Sequence, residues 1–290
     1  MKILVTGGCG YKGHILVPKL LLLGHNVEVI DTQWFGNFLE SHKRLSVTKG
    51  DIREVEKISM KGIDCIIHLA AIANDPSGDL NPKLTWEVNA LATMQLVDKA
   101  HRLGVKRVIY ASSSSVYGIK KEKHVTENLG LKPITEYNKT KMIAERVLLS
   151  YSDDMVVQII RPATVCGYSP RMRLDLSVNL LTMQALQNGK ITVFGGSQVR
   201  PNIHIQDMIR VYEHFLNENH NIKSGNYNAG FENISILQIA ENISAKISSE
   251  IVITESNDPR SYRQNSDKLL STGFIHSYSV EDAIDEIIKR

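Results

Sequence analysis

The sequence predicts an α/β protein with a doubly wound parallel sheet and a smaller C-terminal lobe. The chain begins with a short apolar strand at residues 2–5, followed at once by a glycine-rich turn and an apolar helix. Strand and helix patterns then alternate through the first half, which is typical of parallel strands joined by right-handed crossovers. After Arg161 the alternation loosens, so we expect a second lobe to cover the carboxyl ends of the strands.

The first turn has the glycine spacing of a phosphate-binding loop. Gly7 precedes the pattern Gly8-x-Gly10-x-x-Gly13, and a helix is expected to begin near Tyr11. Because glycine lacks Cβ, the backbone N–H groups of such a turn approach a pyrophosphate closely, and the helix N-terminus directs its dipole at the same anion. A glycine-rich turn can also simply join a strand to a helix, so the motif alone leaves both interpretations open.

The second predicted strand, at residues 27–30, ends in Asp31. An acid about 20 residues beyond the glycines is placed to bond the ribose hydroxyls of an adenosine. No Arg or Lys stands at positions 32–38 to neutralise a ribose 2′-phosphate, which favours NAD over NADP. Lys12 opposes this preference mildly, because its side chain can reach a phosphate.

The rest of the sequence pattern predicts the other strands and helices and a division into two domains. Strands are expected at 45–48, 65–69, 107–112 and 155–160, with helices at 86–102 and 137–150. Further helices are expected at 174–187, 207–216 and 280–289, and short strands at 191–194 and 202–205. We expect a first domain over 1–165, to which the chain returns around 201–228, and a second lobe made mainly of 166–290.

Composition excludes several classes of protein. With 290 residues, 42% of them hydrophobic and 22% charged, the chain has the composition of a soluble globular protein. A net charge of +3 without a long basic run argues against nucleic-acid binding. No apolar run is long enough to cross a membrane, no signal peptide precedes the first strand, and a cytoplasmic location is expected. Cys9, Cys65 and Cys166 are isolated and predict reduced packing residues, with neither disulfides nor a metal site.

A tyrosine and a lysine four residues apart carry the candidate chemistry. Tyr137 and Lys141 share one face of a predicted helix. There an ammonium lowers the pKa of a phenol, which then serves as a general base near neutral pH. The serine run 112–115 at a strand end supplies hydroxyls that can bond a substrate oxygen. A surface helix with an ordinary polar pair is the alternative, and the glycine turn upstream favours the catalytic interpretation.

With these motifs the chain resembles the extended short-chain dehydrogenase/reductases, specifically the NAD-dependent nucleotide-sugar epimerase/dehydratase group. The resemblance spans about residues 2–274 and is carried by 6–13, 50–53, 68–71, Asn89, 112–118, 137–141, 161–162, 199–204 and 258–262. It implies a Rossmann domain that binds NAD, a C-terminal lobe that binds a nucleotide-sugar, and a homodimer formed through helices 86–102 and 137–150.

The resemblance also assigns roles to residues. It implies that Ser113, Tyr137 and Lys141 are catalytic: the Tyr137 phenolate takes a sugar hydroxyl proton, Lys141 bonds the nicotinamide ribose, and Ser113 bonds the reacting oxygen. The expected cofactor-binding residues are Gly7, Gly10, Tyr11, Lys12, Gly13, Asp31, Asp51, Ile52, Leu69, Ala70, Ala71, Tyr137, Lys141 and Pro162. The expected substrate-binding residues are Ser113, Thr164, Asn179, Arg200, Arg260 and Tyr262. Arg171 and Arg173 are expected in a solvated turn, and His68 is expected to pack at a strand end.

Departures from the group's pattern narrow the expected reaction. Dehydratases carry Asp-Glu after the catalytic hydroxyl residue, decarboxylases carry Glu before Val-Tyr-Gly, and enzymes that epimerise C3 and C5 carry a cysteine at the position of Ser115. Here Ser114 and Ser115 occupy these places. What remains is redox chemistry at one carbon, which leaves open 4-epimerisation and net oxidation or reduction; the expected function is epimerisation at C4 through a transient keto-sugar. The alternatives are a nucleotide-sugar 4-dehydrogenase, a 4-keto-sugar reductase, and a non-catalytic dinucleotide-binding sensor.

Overall fold

A computed structural model of the chain describes residues 1–256 and 261–290. The strands in these ranges are β1 (Lys2–Thr6), β2 (Asn26–Asp31), β3 (Leu45–Lys49), β4 (Cys65–His68), β5 (Arg107–Ala111), β6 (Val156–Pro162), β7 (Thr164–Cys166), β8 (Lys190–Phe194), β9 (Val199–His204), β10 (Gly225–Ala229), β11 (Glu232–Ser235) and β12 (Glu250–Thr254). The α-helices are α1 (Gly13–Leu22), α2 (Asp75–Leu80), α3 (Pro82–Trp86), α4 (Ala92–Arg102), α5 (Glu136–Leu149), α6 (Ser177–Asn188), α7 (Ile205–Leu216), α8 (Ile236–Lys246), α9 (Asp267–Leu270) and α10 (Val280–Ile288).

The main sheet is parallel throughout, with the strand order β3-β2-β1-β4-β5-β6-β10 over the described residues. The chain runs outward from β1 to β3 and then continues on the other side of β1 with β4. The strand order therefore reverses between β1 and β4, where Thr6 pairs with His68. Ligands of such sheets bind beyond the carboxyl ends of the strands at this point. The predicted doubly wound sheet is confirmed.

Helices cover both faces of this sheet because successive side chains of a strand point to opposite sides. Ile3 and Val5 of β1 pack in one core with residues of α1 and α7, such as Leu20. Leu4 faces the other side, in a second core with Leu96 of α4. Continuous apolar strands of this kind are expected where both faces of a sheet are buried.

A second lobe is built from two small sheets and three helices. One sheet has the order β11-β9-β7 and the other pairs β12 with β8. Together with α6, α8 and α10 they enclose their own apolar core, which includes Val178, Ile191 and Ile243. Before entering β11 the chain returns to the main sheet, where β10 pairs with β6. The division of the chain at residue 165 into two domains stays a prediction.

The single helix expected at 86–102 is divided in the structure. Between α3 and α4 the residues Glu87–Leu91 form a wider π-helical turn. Its Asn89 is buried, and the side chain bonds both the N–H and the C=O of Ile72, at 2.8 and 3.0 Å. Single π turns are frequent at functional sites. Periodicity along the sequence did not show the wider turn, because its partner lies in a distant segment.

The predicted free cysteines are confirmed, since Cys9, Cys65 and Cys166 are buried and unpaired. In the described ranges, no helix combines the length and the apolar character that crossing a membrane requires.

A buried ion pair joins α5 to the centre of the sheet. Arg161 of β6 donates to both carboxylate oxygens of Glu145, at 2.9 and 2.6 Å, and both side chains are almost fully buried. Ser112 also donates to Glu145, and Arg161 donates to the Tyr117 hydroxyl at 2.8 Å. The network therefore connects the helix that carries Tyr137 and Lys141 to the turn that follows β5.

We expect Glu145→Gln to lower the free energy of unfolding by about 3–5 kcal/mol, because it leaves the buried Arg161 guanidinium without its counter-charge. Urea unfolding followed by circular dichroism measures this. The matched control is Asp98→Asn, which breaks the exposed pair with Arg102 and is expected to cost less than about 1 kcal/mol. Similar losses in the two variants would contradict the assignment of Glu145 and Arg161 as a structural pair.

Candidate active site

A cavity opens beyond the carboxyl ends of β1 and β4, at the reversal of strand order. Most of the expected cofactor residues line it: Gly7, Gly10, Tyr11, Lys12, Gly13, Asp31, Asp51, Ile52, Leu69, Ala70, Ala71, Tyr137 and Lys141. The strand ends bring these residues together from positions as far apart as 7 and 141. A stretch of the second lobe that includes Arg171, Arg173 and Asp175 completes the wall.

The glycines of the first turn are required by close backbone contacts. A Cβ on Gly13 would lie 2.2 Å from the carbonyl oxygen of Gly8. Gly7 has φ +72°, and a Cβ there would lie 2.6 Å from the backbone nitrogen of Ala70. The turn therefore presents bare backbone to the cavity at the start of α1, which fits a dinucleotide pyrophosphate.

Two carboxylates mark the end of the cavity nearest β2 and β3. Asp31 accepts hydrogen bonds from the N–H groups of Cys9 and Gln33, at 3.0 and 2.7 Å, and these bonds orient it beside the glycine turn. Hydrogen bonding to Arg53, at 2.8 Å from the nearer oxygen, lowers the pKa of Asp51. Such acceptors fit the hydroxyls of a ribose better than a ribose phosphate.

Two of the three expected catalytic side chains, Tyr137 and Lys141, line the other end of the cavity. Ser113 is not among the lining residues; it acts on the Tyr137 hydroxyl in the direction that lowers its pKa, and its own hydroxyl is 2.8 Å from that of Ser115. The Lys141 ammonium lies 6.0 Å from the centre of the Tyr137 ring and donates to the Ala111 carbonyl at 2.8 Å. The bond to Ala111 ties Lys141 to the last residue of β5, one residue before the serine run.

We expected the Lys141 ammonium to lower the pKa of Tyr137, but the groups at this end of the cavity act differently. Burial raises the pKa of Tyr137, and the opposing influences are the Arg173 guanidinium and the hydrogen bond from Ser113. Burial lowers the pKa of Lys141 to about 7; repulsion from Lys12 acts in the same direction, and Glu145 acts against it. The expectation failed because helix spacing alone did not show how deeply both groups are buried.

The expectation that Arg171 and Arg173 stand in a solvated turn is wrong, because both line the cavity. Arg173 forms an ion pair with Asp175, and its carbonyl accepts a hydrogen bond of 3.1 Å from Asn179. The guanidinium of Arg171 lies 3.9 Å from the centre of the Phe35 ring, so the two lobes touch across the cavity. The one available signal was their position shortly after a strand, which many surface arginines share.

Six predicted residues of the described chain are not among those that line this cavity: Ser113, Pro162, Thr164, Asn179, Arg200 and Tyr262. Asn179 is buried and bonds Gly167, Tyr11 and Arg173, and the buried Tyr262 hydroxyl is 2.9 Å from Ser114. Arg260 falls outside the described residues. Roles of these residues in binding stay predictions.

His68 packs at the end of β4 as expected, bonded to Thr6 at 2.6 Å and to Thr93 at 2.9 Å. Its burial lowers its pKa to about 3, so it stays neutral.

The buried Lys141 predicts a specific pH dependence of stability. Between pH 7 and 10.5 the unfolded chain holds a proton on this lysine that the folded protein has released, so the free energy of unfolding rises with pH in this window. We expect Lys141→Met to be more stable than wild type below pH 7, with a difference that shrinks toward pH 10.5. Urea unfolding at a series of pH values tests this, with Lys139→Met on the same helix as control. Parallel curves for wild type and Lys141→Met would contradict it.

Comparison with known proteins agrees with this geometry. The family described as "NAD dependent epimerase/dehydratase family" matches residues 3–230. The chain is 31% identical over 256 residues to a protein of Bacillus subtilis described as an uncharacterized UDP-glucose epimerase, covering 82% of this chain and 80% of that protein. It is 28% identical over 272 residues to the UDP-glucose 4-epimerase of Lactobacillus helveticus, covering 84% and 82%.

Among solved structures, the chain is similar to UDP-glucuronic acid 4-epimerase from Bacillus cereus in complex with UDP-glucuronic acid and NAD. The TM-score is 0.88 at 28% sequence identity, and the match covers 100% of this chain and 98% of that one. The family match, the doubly wound sheet and the glycine-lined cavity all agree. The chain belongs to the NAD-dependent epimerase/dehydratase family and is an enzyme whose cofactor is NAD.

Proposed function

We propose that this protein is a nucleotide-sugar epimerase that acts at C4 of the sugar through a transient keto-sugar. The observation that carries the proposal is the presence of Tyr137 and Lys141 in the wall of the cavity that begins with the glycine turn, with Ser113 close enough to act on the Tyr137 hydroxyl. Two of the similar proteins above are described as 4-epimerases, which supports this reaction within the family.

The residues of the chain divide the chemistry between them. Bound NAD supplies the acceptor and donor of the C4 hydride. Tyr137, as phenolate, takes the proton of the sugar hydroxyl. After the keto-sugar has rotated in the site to present its other face, Tyr137 returns the proton to the keto oxygen. Ser113, which acts on the Tyr137 hydroxyl, holds the same oxygen. Lys141 is anchored on Ala111 at the floor of this site, where it bonds a ribose hydroxyl of the cofactor, while the Arg173 guanidinium and Ser113 favour the phenolate of Tyr137.

Loss of water from the sugar is disfavoured by the residues beside Ser113. Ser114 bonds the hydroxyl of Tyr262, and Ser115 bonds the side chain of Asn138. Neither position carries a carboxyl group, and the cavity carboxylate Asp175 is held by Arg173. Asp75 and Asp175 act on the Tyr137 phenol from other segments, but neither Ser114 nor Ser115 supplies the acid that water loss uses beside the catalytic hydroxyl. Redox chemistry at a single carbon is therefore the reaction that these two positions favour.

We also propose that the protein is a homodimer. A groove on the outer side of α3, α4 and α5 exposes apolar side chains, among them Trp86, Leu91 and Met94, which are 37–47% exposed. A contiguous apolar patch of this kind marks an interaction surface. The same helix pair is the one that the family resemblance assigns to the dimer.

We expect Tyr137→Phe to lower the rate of UDP-glucose to UDP-galactose conversion about a hundredfold or more, because the general base is lost while the binding site is kept. Product analysis by chromatography measures the rate, and released NAD measures cofactor content. The matched control is Tyr151→Phe, which follows α5 and is absent from the residues that line the cavity.

An epimerase converts the sugar without added cofactor and without net formation of NADH. Stoichiometric NADH formation would replace the proposal with a dehydrogenase. If wild type and Tyr137→Phe are both inactive on UDP-, GDP-, CDP- and dTDP-sugars, the proposal is replaced by a non-catalytic dinucleotide-binding sensor.

For the dimer, we expect Met94→Asp to convert it to a monomer, because a charge in an apolar interface loses its hydration without gaining a partner. Size-exclusion chromatography with light scattering measures the mass. Ile275→Asp, at an exposed position away from the groove, should leave the dimer intact. A wild-type monomer would contradict the proposal.

A further inference from the structure

Lys12 is the charged residue of the glycine turn at residues 7–13. It is the residue just before α1, and it lines the cavity. Within residues 1–256 and 261–290, its ammonium makes no hydrogen bond and no ion pair. A partly buried lysine without a partner is unfavourable, since the charge loses hydration without compensation.

The surroundings of Lys12 are cationic. Burial, with repulsion from Arg173, lowers the pKa of Lys12 to about 8, and Lys12 in turn repels Lys141. Asp175, a carboxylate of the second lobe that lines the cavity, is already paired with Arg173, and Glu145 is paired with Arg161. Three cationic groups therefore converge on one end of the cavity with no free protein anion described beside them.

The chain position of Lys12 also locates it along the cavity. It lies in the glycine turn directly before α1, whereas Asp31, expected to bond the adenosine ribose, ends β2. The glycine turn is the part of the site that fits a pyrophosphate, so a diphosphate is the anion expected within reach of this ammonium.

We propose that the Lys12 ammonium binds a diphosphate in this cavity, namely that of the dinucleotide received by the adjoining glycine turn, and that this contact retains the cofactor. The two negative charges of a diphosphate offset the repulsion among Lys12, Lys141 and Arg173. The backbone N–H groups of the turn and the ammonium would then approach the same anion from one segment of chain. The proposal rests on the NAD site and not on the epimerase reaction.

The test compares Lys12→Ile, which removes the charge, with Lys12→Arg, which keeps it. Lys19→Met is the matched control, because Lys19 lies on α1 away from the cavity and faces Glu213. NAD-depleted protein is titrated with NAD, and separately with UDP, by calorimetry at low and high salt. We expect Lys12→Ile to bind NAD about tenfold more weakly or worse, with a smaller effect of salt because one screened charge contact is gone.

Lys12→Arg is expected to recover most of the affinity, and Lys19→Met to match wild type. Weaker binding of UDP with unchanged binding of NAD would keep the diphosphate contact but assign it to the substrate. Unchanged affinity for both ligands overturns the proposal. Thermal unfolding without ligand checks the fold, and Lys12→Ile should be at least as stable as wild type because an unpaired charge has been removed. All readouts are binding or unfolding, so a failure of the epimerase proposal leaves this test intact.

Discussion

At the carboxyl end of β1, glycines let the backbone turn in contact with itself and with the segment after β4. The α-carbon of Gly13 packs on the carbonyl of Gly8, and Gly7 approaches Ala70 too closely for any side chain. This contact exposes the N-terminus of α1 at the reversal of strand order. The rest of the site lies beside this turn, because the neighbouring parallel strands end at the same edge of the sheet and the residues that follow them lie there.

The site concentrates positive charge where hydration is limited. Lys12, Lys141 and Arg173 lie around one end of the cavity, and the low pKa of Lys141, about 7, reflects burial and the repulsion from Lys12. Such an arrangement costs folding stability and is tolerated where a ligand supplies the opposite charge. The buried ion pair of Arg161 and Glu145 connects α5 to β6. This pair fixes the position of the helix that carries Tyr137 and Lys141.

Local pattern predicted the first half of the molecule well. Apolar runs indicated β2 to β6, and the i, i+4 spacing placed Tyr137 and Lys141 on one helix. The glycine spacing, with Asp31 after the next strand, indicated the dinucleotide end of the site. Each of these features depends on side chains within a few residues of one another, or on the regular placement of strand ends.

The contribution of the second lobe to the cavity was harder to predict from the sequence, because the residues that line the cavity there lie in a loop. Nothing near Arg171 or Arg173 in the sequence distinguishes a cavity wall from a solvated turn, and the contact of Arg171 with Phe35 joins residues of different lobes. The π turn at Asn89 likewise depends on its bonds to Ile72.

The order of residues by itself determined that a parallel sheet would form, that a glycine turn would open it, and that a tyrosine and a lysine would share a helix face. These features follow from backbone geometry and from the periodicity of apolar side chains. Only the tertiary structure decided how deeply Lys141 is buried, which cations face it, and which arginines close the cavity. Burial and electrostatic interaction depend on distances between segments that are far apart in the chain. The local sequence pattern does not determine those distances.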